Sequence, residues 1–293
     1  MNKVNKAVII AAGRGTRFLP FTKAVPKELL PVVDTPAIQL IAEEIVNAGI
    51  RDILIVDSEE KKAIRNHFTQ DPQLAAFLKS RGKYKEEEAL EKISEMANFT
   101  YVSQKEATGS ADAVYLAKEF ANHEPIAVLN GDDVMEARQH GVTAQLKECF
   151  EANGNTVIGV QEVAREQIRK YGAIRILSQQ GRTYRIDSIV EKPQPSEAPS
   201  FMAALGRYVI SADFFGFIDR TPIAANGEHQ FTDALKLQAK EQGIFAYEFE
   251  GKRYDLGDKF GFLQANVESM LQSAEYGETL RRYLTELMEG WKK

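Results

Sequence analysis

The chain has 293 residues, 44% of them hydrophobic, a net charge of −5 and a single cysteine. That apolar share is enough for a sizeable core, which excludes disorder as the default, and the acidic balance offers no footprint for nucleic acid or an anionic membrane. One cysteine rules out an internal disulfide and suits a reducing compartment; with no apolar run of about 18 residues and no signal-peptide core, a cytoplasmic location is expected.

In chain order, Ala7 to Ile10 predicts a short buried strand, which empties into the small-residue loop Ala11-Ala12-Gly13-Arg14-Gly15-Thr16-Arg17. Small side chains let backbone N–H groups approach an anion closely, and Arg17, Lys23 and Lys27 bring cations within reach of the same point. Strand, bare loop and cations together describe a grip for a polyphosphate. Neither of two common phosphate motifs is present: no P-loop string occurs, and Phe18 stands where a dinucleotide fingerprint needs its third glycine. Pro20, Pro26 and Pro31 forbid a regular helix straight after the loop, so the chain is expected to wrap before its first helix.

Further strand-like runs follow at Ile53–Val56, Phe99–Val102 and Ile126–Leu129, separated by helical spacing at Ile38, Ile41 and Ile45 and, less regularly, at Val114, Leu116 and Phe120. Strands alternating with helices predict right-handed crossovers and an α/β fold, its Rossmann-like, mainly parallel sheet binding ligands at the carboxyl ends of the strands. Residues 58–98 are charged and mostly helical. They read as a solvated excursion, with subunit pairing through Phe68, Leu74, Phe77 and Leu78 as the sharper alternative. Asp132 and Asp133 follow the fourth strand through Asn130 and Gly131; from residue types alone this is either a hard-metal site or a turn with a capping aspartate. Cys149, in an amphipathic pattern, reads as a buried structural thiol. From Thr156 onward the order changes to paired strands at Val157–Val160, Ala173–Ile176, Ile186–Val190 and Arg207–Ile210. Thr232 with Asp233 predicts an N-cap for a helix running to Glu241, and residues 258–290 look helical throughout. No repeat or low-complexity linker interrupts the chain, so one domain is expected over 1–293, with lobes at about 1–135 and 136–257 and C-terminal helices over 258–293.

The order of short motifs resembles that of the sugar-nucleotide pyrophosphorylases over almost the whole chain. Gly13-x-Gly15-Thr16-Arg17 is followed by Pro26-Lys27, then Gly131-Asp132-Asp133, Val190-Glu191-Lys192-Pro193, Leu205-Gly206-Arg207-Tyr208-Val209, Thr232-Asp233-Ala234 and Phe249-Glu-Gly-Lys-Arg-Tyr-Asp-Leu-Gly-Asp-Lys259. The stretch Phe18-Leu-Pro-x-Thr-Lys-Ala-x-Pro-Lys-Glu-x-Leu-Pro31 is similar to the branch that uses UTP and glucose 1-phosphate. The resemblance implies a mixed, mainly parallel central sheet flanked by helices in a nucleotidyltransferase (GT-A-like) architecture. It also implies a Mg²⁺-dependent enzyme that forms UDP-glucose and pyrophosphate, and an assembly of two or four identical chains. The first lobe is then nucleotide-binding and the second sugar-binding.

Carried over by position, the resemblance implies that Arg17 and Lys27 contact the triphosphate, Lys192 grips the sugar phosphate, and Asp132 and Asp255 hold Mg²⁺. Asp133 and Asp258 are expected to support or cap. The nucleotide is expected against Ala11, Ala12, Gly13, Gly15, Thr16, Gln104, Gly109 and Asp132, with the backbone amides of Ala11 and Ala12 reading the base together with Gln104 and Gly109. The sugar is expected against Gly172, Glu191, Lys192 and Gly206, with Arg207 either a phosphate contact or a structural ion-pair residue. The sequence departs from the family pattern at Arg14, a further candidate phosphate contact, and at Asn130. It departs again at Asp112, where the pattern has histidine, and at His229, where it has an apolar residue. Asp112 either caps the following helix or faces the nucleotide. Competing readings are the same chemistry with dTTP or another hexose 1-phosphate, and a non-catalytic regulatory paralogue that binds nucleotide-sugar.

Overall fold

The computed structural model describes residues 3–137, 139–224 and 227–291. The chain opens on β1 (Lys6–Ile10), with Ala7, Val8 and Ile9 buried. The prolines act as expected. Three single-turn 3₁₀ segments (Thr16–Phe18, Phe21–Lys23, Lys27–Leu29) and a small ladder of β2 (Pro31–Val32) with β3 (Thr35–Pro36) precede the first α-helix, α1 (Ala37–Asn47). Next come β4 (Asp52–Asp57), the helices α2 (Lys62–His67), α3 (Pro72–Ser80) and α4 (Tyr84–Glu95), and β5 (Asn98–Ser103). Two short helices, α5 (Ser110–Tyr115) and α6 (Lys118–Ala121), lead into β6 (Ile126–Asn130) and β7 (Asp133–Glu136). After α7 (Val142–Asn153) come β8 (Val157–Glu162), β9 (Gly172–Gln180), β10 (Thr183–Glu191) and β11 (Met202–Ile210). The remainder is α8 (Phe215–Ile218), α9 (Phe231–Gln242), β12 (Ile244–Glu248), β13 (Lys252–Asp255), α10 (Lys259–Gln272) and α11 (Gly277–Gly290).

A nine-stranded sheet in the order β5-β4-β1-β6-β11-β8-β12-β10-β9 runs through the molecule. All its strands except β10 and β11 point one way, so the sheet is mixed and mainly parallel. Alternate residues of β1 serve opposite faces, as a pleat of period two requires: Ala7 and Ile9 join one core, Val8 the other. Ile38, Ile41 and Ile45 of α1 fill the first core beside Leu146 and Phe150 of α7. Each is fully buried, worth about 1.5–3 kcal/mol apiece. Val114, Phe215 and Leu235, from α5, α8 and α9, fill the second.

Two pairings position the site. Ile10 stands level with Val56 and Asn130 across β1, so the loops after β1, β4 and β6 leave the sheet side by side. A separate two-stranded ladder of β7 and β13 sets Asp133 opposite Asp255.

Three local expectations are corrected. Residues 258–290 hold helices as expected but are not helical throughout: the helix breaks after Gln272, where Ser273 takes an extended conformation and its hydroxyl accepts from the amides of Glu275 and Tyr276 (3.3 Å each). Phe68 does not share an outer face with Leu74 and Phe77: it is buried and stacks on Phe99 at 4.2 Å, while those two are exposed. Helix α9 begins at Phe231, so Thr232 lies inside the first turn and is not its N-cap. The Phe231 amide instead donates to Ser110 Oγ (3.0 Å), a cap supplied from α5, far away in the sequence. Cys149 is buried on α7 as expected, and burial pushes its thiol pKa up. Among the described residues no helix is long and apolar enough to cross a membrane.

Candidate active site

A cleft of about 490 Å³ opens where the loops after β1, β5 and β6 meet β11 and the start of β9, within the ~300–1,000 Å³ range usual for small-molecule sites. Twelve of the residues expected from sequence share its wall. Ala12, Gly13, Arg17, Lys27 and Asp132 lie on the phosphate-loop side with Asp255, and Gln104 and Gly109 mark one end. Gly172, Glu191, Lys192 and Gly206, expected to meet the sugar, line another part of the wall. Ala11, Gly15 and Thr16 are not on the wall, and neither are Lys23 and Arg14, both exposed. Ala11 is buried and its amide donates to Val56 O (2.8 Å) to extend the ladder, so that N–H cannot read a base. Gly15 packs under the stem of Lys27 instead, where a Cβ would come within 3.2 Å of Lys27 Cβ.

Charges alternate across the floor. Lys27 Nζ hydrogen-bonds Asp132 Oδ2, and Lys27 also lies 3.9 Å from buried Glu28. Burial alone would lower the Lys27 pKa, but the Asp132 and Glu28 charges outweigh it and raise it. Burial would likewise raise Asp132, yet the Lys27 ammonium holds it below the ordinary aspartate range. Asp133 is buried behind, its Oδ1 2.5 Å from Arg253 Nη2 and its Oδ2 accepting from Asn130 Nδ2 (3.0 Å), and burial pushes its pKa up. Arg253 also reaches Asp255 Oδ2 (3.5 Å) and donates to the Tyr171 hydroxyl (3.1 Å). The Asn130 departure thus has a local use: its amide satisfies a buried carboxylate.

Asp132 and Asp255 converge. A methyl group on Gly257 would lie 2.7 Å from Asp132 Oδ2 and 3.0 Å from Asp255 Oδ1, with Arg17 Nη1 at 3.6 Å, so these three groups surround one small volume. Arg17 Nη1 donates to Gly257 O (3.4 Å), and Asp255 Oδ1 accepts from the Gly257 amide (2.9 Å). Two converging carboxylates suit a Mg²⁺ ion, which keeps waters and takes its remaining oxygens from substrate phosphates. Among the described residues no group of three or more His, Cys, Asp or Glu forms a fuller protein cage. Asp258 is the N-cap of α10, accepting from the amides of Phe260 and Gly261 (3.0 and 3.1 Å).

By β9 and β11, Lys192 sits in the left-handed region at φ 46°, held by its amide donating to Tyr171 O (2.9 Å), with Nζ 3.1 Å from Glu191 Oε1. A non-glycine residue there costs on the order of 1–3 kcal/mol, a strain that clusters at functional positions. Gly206 has φ +70°, and a Cβ on it would strike Asp133 Oδ2 at 2.2 Å; only glycine lets β11 pass the buried carboxylate. Arg207 takes the structural option left open by the sequence. It is fully buried behind the cleft, paired with Glu44 at 2.7 Å and donating to Asp133 O (2.7 Å).

At the other end, Gln104 Nε2 donates to Gly109 O (3.1 Å), which leaves its carbonyl as an acceptor. Gly109 itself lies against the backbone of His229, where a Cβ would sit 2.3 Å from its oxygen. The His229 amide donates to Thr108 O (2.7 Å), and the Ala111 amide donates to His229 O (2.9 Å). The two departures Asp112 and His229 meet here: His229 Nδ1 is 2.8 Å from Asp112 Oδ1, and Nε2 is 2.8 Å from Thr221 Oγ1. Asp112 therefore faces His229 and is not on the cleft wall.

Sequence reasoning missed Lys170, Gln230, Thr232 and Arg253 on the wall, and Lys61 and Glu28 beneath it. Arg253, Thr232 and Glu28 stand inside quoted motifs, so their positions carried a signal; Lys61 became visible only when the loops were brought together.

A bare loop after a first parallel strand, two converging carboxylates and cations around an elongated cleft define a nucleotidyl transferase, and residues 6–271 match the nucleotidyl transferase family model; the chain belongs to that family. It is 46% identical to the UTP–glucose-1-phosphate uridylyltransferase of Bacillus subtilis (strain 168) over 290 residues, 99% of this chain and 98% of that one. It is 44% identical to UTP–glucose-1-phosphate uridylyltransferase 2 of Staphylococcus saprophyticus, over 98% of this chain and 99% of that one. Among solved structures it resembles a UDP-glucose pyrophosphorylase complexed with UDP-glucose (TM-score 0.84, 36% identity, 92% of this chain and 100% of that one). It also resembles a UTP-bound UGPase from Acinetobacter baumannii (TM-score 0.90, 30% identity, 97% and 99%).

Proposed function

We propose that this chain transfers the uridylyl group of UTP to glucose 1-phosphate, forming UDP-glucose and pyrophosphate. The observation that carries the reading is the convergence of Asp132, Asp255 and Arg17 around Gly257, beside Lys27, at the phosphate end of the cleft. A sugar-phosphate oxygen attacks the α-phosphorus as the bond to pyrophosphate breaks. That oxygen is already ionised near pH 7, because the second pKa of a phosphate monoester is about 6, so the site needs no general base. Catalysis then consists of holding two polyanions in line and neutralising charge on the leaving group. Arg17 and Lys27 hold the triphosphate and meet the charge that develops on pyrophosphate, while Lys192 orients the attacking phosphate and Glu191 accepts from a sugar hydroxyl. Asp132 and Asp255 would hold Mg²⁺, which when bound screens the repulsion between the two substrates' phosphates.

The free carbonyl of Gln104 suits the N3–H of uracil or thymine, and cytosine has no hydrogen at that atom. This supports UTP over CTP. The lobe at about 1–135 takes the nucleotide and the lobe at 136–257 the sugar. The exposed side chains of Leu263, Tyr283 and Met288 on the last two helices favour an assembly of two or four chains. The lone, buried Cys149 suits the reducing cytoplasm. The test is pyrophosphate release with Mg²⁺, crossing UTP, dTTP, CTP, ATP and GTP with glucose 1-phosphate. UTP-dependent release is expected; release with another nucleotide alone reassigns the substrate, no release with any of them overturns the glucose 1-phosphate assignment, and silence with other hexose 1-phosphates as well overturns the enzymatic reading.

A further inference from the structure

Beneath the phosphate loop lies a lysine whose hydrogens are all spent on that loop and its support. Lys61, in the turn between β4 and α2, is 7% exposed. Its Nζ donates to Ala11 O (2.5 Å), to Gly13 O (2.6 Å) and to Glu28 (2.8 and 3.0 Å to the two oxygens). Glu28 is fully buried and stands 3.9 Å from Lys27, so Lys61, Glu28, Lys27 and Asp132 form a ladder of alternating charge from the core to the cleft. An ion pair with Glu28 alone would need one of the ammonium hydrogens. The other two bind the backbone carbonyls of Ala11 and Gly13, two positions apart in the loop.

A trans peptide unit points its C=O and the following N–H in opposite directions. Drawing Ala11 O and Gly13 O down onto one ammonium therefore turns the N–H groups of Ala12 and Arg14 away from it. Among the described residues neither of those amides donates to another backbone group; Ala12 and Gly13 are on the cleft wall, and exposed Arg14, itself off that wall, follows Gly13 directly. Turning the same peptides over would leave a buried ammonium facing N–H groups, which the desolvation of Lys61 makes costly.

We propose that Lys61 is a positioning residue for the nucleoside triphosphate: it pins two carbonyls inward so that the amides of Ala12 and Arg14 are presented to the phosphates. This rests on the reading of the cleft as a triphosphate site, and it assigns Lys61 no contact with substrate. Burial lowers the Lys61 pKa and the Glu28 carboxylate opposes that shift. Glu28 acts as the counter-charge that keeps the cation there.

Two measurements test it. In the first, Lys61→Met and the double variant Lys61→Met/Glu28→Gln are compared with the wild type in thermal midpoint and in the KM values for both substrates. The single variant strands a buried carboxylate and loses stability; the double removes both charges and recovers it. The expected result is a KM for UTP still raised at least about tenfold in the double variant, with the KM for glucose 1-phosphate within about twofold of wild type. A double variant with wild-type KM for UTP overturns the proposal and leaves Lys61 a structural ion-pair residue. The second uses the wild-type protein: the amide resonances of Ala12 and Arg14 are followed as UTP, or inorganic tripolyphosphate, is added. Shifts with either ligand support the proposal. Shifts with tripolyphosphate but no UTP turnover would overturn the functional reading and keep this one, and silence of both amides with both ligands overturns this one.

Discussion

Lys192 combines a strained backbone with an unburied ammonium beside Glu191, an arrangement with no role in packing. Lys192→Ala is expected to lower kcat/KM by about 10²–10³-fold, with the thermal midpoint unchanged; steady-state kinetics with calorimetry would refute the assignment if turnover were preserved. Lys27 and Asp132 make a second residue-scale prediction. With Lys27 present, Asp132 titrates below the ordinary aspartate range, so its contribution to stability is present above that range and lost as pH falls through the depressed value. In Lys27→Met the attraction is removed while burial remains, and the Asp132 titration moves up; carboxyl-carbon NMR reads this directly, and an unmoved titration contradicts it. The residues legible in sequence, Arg17, Lys27, Asp132 and Asp255, lie in short strings with a chemical signature. Lys61 could not be read, because its partners Glu28 and Ala11 stand 33 and 50 positions away and a lysine in a charged segment looks like a surface residue.

Elements carry the next level. Glu44 on α1 accepts from Arg207 on β11 and from the amide and hydroxyl of Thr143 on α7 (2.8 and 2.6 Å), fastening two helices to the strand that backs the cleft. Glu44→Ala leaves a buried guanidinium without its counter-charge, and a loss of about 3–5 kcal/mol is expected in denaturant unfolding; a loss under 1 kcal/mol (roughly a surface pair's worth) would show that Arg207 finds other partners. Asp112 on α5 and His229 before α9 couple in a different way, joining two segments that border the Gln104–Gly109 end of the cleft. Asp112→Ala and His229→Ala should each raise the KM for UTP, and the double variant should be no worse than the poorer single, a coupling of about 0.5–3 kcal/mol. Strict additivity in the cycle would show that the contact is incidental. The helix and strand positions of the first half were readable because apolar spacing of two or of three to four is a local signal. The true start of α9 was not, since its cap is Ser110, far away in sequence. The break between α10 and α11 was hidden because Ser273 is compatible with a continuous helical pattern and acts only through its hydroxyl.

For the whole molecule, alternation of strands and helices was enough to predict a mainly parallel sheet with its site at the strand ends. The reversal of β11, and the β7–β13 ladder that carries Asp255 beside Asp133, depend on long-range pairing that periodicity does not encode. The same sheet also separates what serves the cleft from what merely decorates it. No residue of α3 or α4 lines the cleft, and the turn between them carries Gly82 at φ +70° with open space where a Cβ would stand. That hairpin is a natural graft point: a foreign domain or reporter joined at Gly82 would hang from the rim of the protein, and the catalytic floor would be untouched by the cargo.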